Sequence, residues 1–264
     1  MRVMEARALA LHLLGVADPL AKADAARQLA NTPFERIDPD APLVASEPLP
    51  GRPARPRLVA HTLLKPPPLN TRAGVAALVH SIAHIEFNAI NLALDICWRF
   101  PGMPVAFYVD WLGIAAEEAQ HFTLLREHLV TLGFDYGDFD AHNALWEMAE
   151  RTKGDILARV ALVPRTLEAR GLDASPAVKR KLVGAGDHRA GAILDVILRD
   201  EIGHVAAVNR WYRFLCEQRG LDPLRTYAEL ATLHDAPRLR APFNLQARRA
   251  AGFDEAELAA LAAP

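Results

Sequence analysis

Ile114-Ala115-Ala116-Glu117-Glu118-Ala119-Gln120-His121-Phe122 sets a carboxylate and an imidazole three residues apart inside an apolar run. The run sits in a stretch from about Val105 to Leu132 that reads as one long helix closed by Gly133. Three residues advance about 300° around a helix, so Glu118 and His121 share a face. Trp111, Ile114, Phe122 and Leu125 flank that same face. The arrangement recurs in Glu201-Ile202-Gly203-His204, inside a second long helical pattern from about His188 to Gln218, flanked by Leu194, Ile197, Val208 and Trp211. An acid on an apolar stripe is costly unless something pairs with it.

Outward from these units the chain reads as helix after helix. From Thr71 to Phe100 apolar residues recur at three- and four-residue steps until Pro101-Gly102-Met103-Pro104 stops them. Residues 134–153 read as a crossover with a short helical stretch around Leu145 and Met148. A third helix is expected from Asp155 to Ala169, kinked by Pro164 and ended by Gly171, then a piece over 177–185 after a break at Asp173 to Pro176. Shorter helices are expected near 223–233 and 254–262, and a helical N-terminus over 3–30. Nine of the 19 prolines fall between Pro39 and Pro68, which denies that segment a helix and makes it a linker or surface wrap. No strand pattern is present. The expectation is an all-α, four-helix bundle over 71–220, with an N-terminal extension and proline-rich wrap over 1–70 and a helical tail over 221–264.

Composition narrows the partners. With 51% apolar residues the chain can fill a core, which excludes disorder. A net charge of -2 provides no global field for nucleic acid or anionic membrane. No run of about 18 uncharged apolar residues predicts a membrane span, and no signal peptide is read. Cys97 and Cys216 lie far apart in apolar helical patterns, which suits reduced thiols and a cytoplasmic location.

A further glutamate precedes each Glu-x-x-His unit at nearly equal distance: Glu86 lies 32 residues before Glu118, and Glu168 lies 33 before Glu201. Glu86 belongs to the apolar stripe of Ile82, Ala83, Ile90, Ala93 and Cys97. The turn at Pro101 to Pro104 lies near the midpoint of Glu86 and Glu118, so an antiparallel hairpin brings the two level. The second hairpin has its midpoint near Gly184 and Gly186. Glu86, Glu118, His121, Glu168, Glu201 and His204 then form a candidate metal site. Four carboxylates offset two divalent cations, and carboxylates with imidazoles suit iron or manganese better than thiolate-seeking metals.

These six residues resemble the pattern of the ferritin-like superfamily over residues 71–218. Val163-Pro164-Arg165-Thr166-Leu167-Glu168-Ala169-Arg170-Gly171 and Asp200-Glu201-Ile202-Gly203-His204-Val205 resemble the domain-of-unknown-function 455 family, itself distantly similar to bundle hydroxylases acting on transfer RNA. The resemblance implies two iron ions, with manganese, a mixed manganese–iron pair or adventitious zinc as alternatives. It implies Glu118 and Glu201 across both ions, His121 and His204 each on one, and Glu86 and Glu168 outside. The activity it implies is O2-activating oxidation or hydroxylation of a small-molecule or nucleotide-like substrate, fed by an electron-donor protein. Iron handling as a ferroxidase, or a metal-binding module without turnover, is the alternative. Self-association is allowed for and no membrane partner is expected.

Other residues are weighed against this site. Glu117 and Asp200 are candidates to hold the free ring nitrogens of His121 and His204. His80 and His84 share metal-like spacing but face away from Glu86, and read as surface or structural. Arg52, Arg55 and Arg57, like Arg238, Arg240, Arg248 and Arg249, read as solvated surface. Trp111 and Trp211 read as core or pocket wall.

Overall fold

The computed structural model describes residues 5–31, 37–46 and 48–262. It is all-α: among the described residues no strand forms, and the one extended pairing is an isolated bridge between Leu58 and Ala141. The chain divides into two compact units, Met1–Ala144 and Leu145–Pro264.

The first unit is built on a helical hairpin. Thr71 caps the helix α3, Arg72–Arg99, by accepting from the Gly74 amide, as a short hydroxyl at that position does. The helix α4, Val105–Thr131, returns after the proline turn, where Gly102 takes φ +78°. The buried Tyr108 hydroxyl locks that turn by donating to the Phe100 carbonyl and accepting from the Met103 amide. Both helices match the ranges their periodicity predicts. Among the described residues α3 is the one helix that by length and hydropathy could cross a membrane, yet 72% of its most apolar window is buried inside the protein, as in the core helix of a globular domain.

The N-terminal helix expected over 3–30 is two: α1, Ala6–Gly15, and α2, Pro19–Arg27. Asp18 and Pro19 explain the division, one as a side-chain cap and the other as a first helical residue that needs no hydrogen-bond acceptor. α1 packs on α3 and α2 on α4. Two buried cations that the composition does not single out staple this layer and the proline-rich wrap to the hairpin. Arg7 donates to the carbonyls of Cys97 (3.0 Å) and Trp98 (2.8 Å) at the C-terminal end of α3, and to those of Asp38, Pro39 and Ala41 in the wrap. Helix-end carbonyls lack intrahelical donors and carry the negative end of the dipole, so a guanidinium suits them. Lys22 donates to Leu14 and Gly51 carbonyls and to Asn91 Oδ1. Three acceptors match the three N–H groups of an ammonium, while burial, aided by the charge of Arg52, pulls its pKa down to about 7. The wrap passes so close to α1 that a Cβ on Gly51 would lie 2.1 Å from the Gly15 carbonyl oxygen.

His80 and His84 are buried and structural. The Gly137 amide donates to His80 Nε2, and His84 meets the Tyr136 hydroxyl and the His142 carbonyl, so both hold the crossover segment against α3. Of the wrap's arginines, Arg55 and Arg57 are exposed as expected, Arg57 pairing with Asp140 at the surface, while half-buried Arg52 donates to Asn143.

In the second unit α5, Ala144–Arg151, precedes α6, Ile156–Leu162, which Asp155 caps. At Pro164 the helix widens into a π-helical turn over Val163–Glu168, and the Thr166 hydroxyl donates to the Ala161 carbonyl inside the widened turn. After Ala169 the chain continues as α7, Arg170–Gly184, so Gly171 does not end a helix and no break occurs at Asp173 to Pro176. The reason is tertiary. The Leu172 carbonyl, which Pro176 deprives of its helical donor, accepts from Asn244 Nδ2, and Arg248 grips Asp173. α8, His188–Gln218, returns after Gly186, as its stripe predicts, and α9, Pro223–Leu233, packs on α6 and α8. Two short helices come last, α10 over Leu245–Ala250, which periodicity misses, and α11 over Glu255–Ala262. Ala247, Ala251, Phe253 and Leu258 join Ala169, Leu172 and Val205 in one buried cluster.

Two measurements test these roles. Arg7→Leu leaves five carbonyls without their donor and lowers unfolding free energy by roughly 3–5 kcal/mol, read from the shift of a urea midpoint. Burial pulls His80 and His84 from 6.5 down to about 4, so the unfolded chain takes up protons first on acidification. Their contribution is complete above pH 6.5 and disappears as pH falls through about 4, and the thermal midpoint of His84→Gln declines less steeply across that window.

Candidate metal centre

Glu86 lies 13 residues before the end of α3 and Glu118 lies 13 after the start of α4, so the antiparallel hairpin brings them level. Glu86 is 4% exposed, Glu118 2% and His121 1%. One ring nitrogen, His121 Nδ1, faces both acids, 3.3 Å from Glu86 Oε2 and 3.4 Å from Glu118 Oε2. A ligand atom from each of the three residues lies within 4.8 Å of the others.

Protein groups alone do not satisfy this cluster. A single Nδ1–H serves one acceptor well; it makes a long contact with Glu118, and among the described residues the buried Glu86 Oε2 has no hydrogen-bond partner. Burial, together with the charge of Glu118, pushes the Glu86 carboxyl up to about 8. Burial pulls His121 down, but its contacts with Glu118 and Glu86 outweigh that and hold it at about 12. Acids crowded in an apolar interior, with one oxygen orphaned, favour a cation among them. A buried Glu/His cluster of this kind could hold a metal ion.

The second unit carries the other Glu-x-x-His pair on one face of α8. Glu201 is 8% and His204 5% exposed, with His204 Nδ1 3.9 Å from Glu201 Oε2. Glu168 is half-buried and is the last residue of the π-helical turn. The extra residue in that turn rotates the downstream helix by about 100° relative to an uninterrupted one, so spacing from Asp155 does not give the face of Glu168. Glu117 is exposed, and half-buried Asp200 accepts from Arg199 at 2.8 and 3.1 Å. Trp111 and Trp211 are buried.

The family model described as "Protein of unknown function (DUF455)" matches residues 15–259. The chain belongs to this family. An "Uncharacterized protein" of Haemophilus influenzae is 45% identical over 247 residues, which cover 88% of this chain and 86% of that one. No solved structure matches.

Within this DUF455 chain the residue that spacing does not reveal is Arg165, next to Pro164 in the Val163-to-Gly171 stretch and 5% exposed. It donates to Asn209 Oδ1, pairs with Glu257, and stacks over Tyr212, Tyr227 and Phe253 at 4.6–5.2 Å. An arginine beside a helix-breaking proline carries no periodic signal.

Replacing Glu86 with Gln removes one of two crowded acids. In metal-free protein the variant melts at a higher temperature than the parent, and the same variant retains less metal by elemental analysis.

Proposed function

We propose that the protein is a ferritin-like, dinuclear non-haem metal-carboxylate oxidase or hydroxylase, with Glu86, Glu118 and His121 completed by Glu168, Glu201 and His204. The observation that carries this reading is the buried Glu86–Glu118–His121 cluster with its orphaned Glu86 oxygen; a second buried Glu-x-x-His pair on α8 supports it. The donor set is hard oxygen with imidazole and no thiolate, which fits iron or manganese. A bound pair of irons supplies electrons for reducing dioxygen.

The chain's own residues set the conditions. Trp111, Ile114, Phe122 and Leu125, all buried along α4, keep water from Glu118 and His121, so charge in the cluster is felt strongly. His121 Nδ1 gives up its proton to become a ligand, and the two glutamates give up the proton that crowding makes them keep. The substrate in this reading is a small molecule or nucleotide-like compound, and reducing equivalents come from a donor protein.

Reconstitution with ferrous iron under argon tests the proposal by metal content and absorbance. About two irons per chain are expected, with an optical change on admitting O2. Glu118→Ala with His121→Ala, and separately Glu201→Ala with His204→Ala, each cut the content below one per chain. Full content in the second double variant overturns the shared site, and a cage carrying many irons per chain replaces it with iron storage.

A further inference from the structure

A cavity of about 590 Å³ opens in the second unit between α9, the loop after it and α11. That size is ordinary for a site holding a small organic molecule. Its walls are mostly aliphatic and aromatic, with Tyr227, Ala231 and Phe253 among them, yet Arg165, Arg248 and Arg238 also line it.

The two inner arginines are buried, Arg165 at 5% and Arg248 at 1% exposure. Phe253 is shared between them, with the guanidinium carbons 4.8 and 5.1 Å from its ring centroid. Each uses only part of its fork. Arg165 donates through Nε to Asn209 and pairs through Nη2 with Glu257. Arg248 donates through Nε and Nη2 to the two oxygens of Asp173. In both, Nη1 makes no hydrogen bond among the described residues, which leaves its N–H groups available to a ligand. Two acids line this wall: Glu257 is already held by Arg165 and Arg213, and Asp235 is exposed to solvent. Arg238, exposed at the cavity's rim, has no ion pair among the described residues.

Unused planar donors behind an apolar slot call for an oxyanion attached to an apolar body. We propose that this cavity binds an amphipathic organic anion, its carboxylate or phosphate meeting Nη1 of Arg165 and Arg248 and its hydrocarbon part lying along Tyr227, Ala231 and Phe253. Arg238 at the rim adds attraction for the anion on entry. The inference is independent of the metal reading, since none of the residues proposed to meet the anion is a candidate metal ligand.

Titration calorimetry on the full-length chain tests it with four probes: 2-naphthoate, 1-naphthyl phosphate, decanoate and the neutral 2-naphthalenemethanol. Saturable binding of one equivalent of at least one anion is expected, at least tenfold tighter than the neutral alcohol. The stronger of naphthoate and naphthyl phosphate identifies which oxyanion the site prefers. Ala231→Trp fills the slot and abolishes binding, and Arg238→Glu weakens it severalfold; both positions are free of structural hydrogen bonds from their side chains, so the fold survives, as a thermal midpoint verifies. Arg165→Lys keeps the charge, loses the fork and weakens anion binding more than alcohol binding. Absence of saturable binding by all three anions, equal binding of the neutral alcohol, or binding untouched by Ala231→Trp each overturns the proposal.

Discussion

Two carboxylates facing one imidazole inside an apolar hairpin are the constraint on which the first unit turns. Ionised acids in that interior repel each other and lose hydration that the surrounding leucines and aromatics do not replace. The hairpin tolerates them because the rest of the unit is tightly fastened. Tyr108 locks the proline turn, Arg7 ties the C-terminal end of α3 to the wrap, and Lys22 joins α1, the wrap and Asn91. A site that is unfavourable by itself needs a scaffold stable enough to hold it, and a cation that neutralises it turns the same residues into a source of stability.

Charged side chains carry much of the fastening in both units. Arg7, Lys22, Arg159, Arg165 and Arg248 are all buried, and each is spent on carbonyls, carboxylates or aromatic faces. Long side chains of this kind give an irregular wrap and short C-terminal helices definite positions that few apolar contacts would provide. In the second unit the arginines do this with donors to spare, which distinguishes the wall of its cavity from an ordinary ion pair.

The helical hairpins were legible because period and punctuation agreed. Thr71 and Asp187 cap where the apolar stripes begin, and Gly133, Gly186 and Gly220 take positive φ where helices end. Legibility failed where distant residues altered the local outcome. Pro164 and Pro176 are helix breakers by local chemistry, yet the first is absorbed by a π-helical turn and the second by Asn244 donating to the carbonyl it strands. His80 and His84 were separated from the acids by helical phase alone, but their burial came from the crossover segment folding back.

Sequence by itself determined the all-α character, the ranges of α3, α4 and α8, and the two Glu-x-x-His faces, because a 3.6-residue period depends only on neighbours along the chain. Tertiary structure decided that Glu86 and Glu118 converge on one nitrogen of His121, that the run from Ile156 to Gly184 continues through two prolines, and that Arg165 and Arg248 meet across Phe253. Those outcomes depend on groups far apart along the chain, whose meeting no local period encodes.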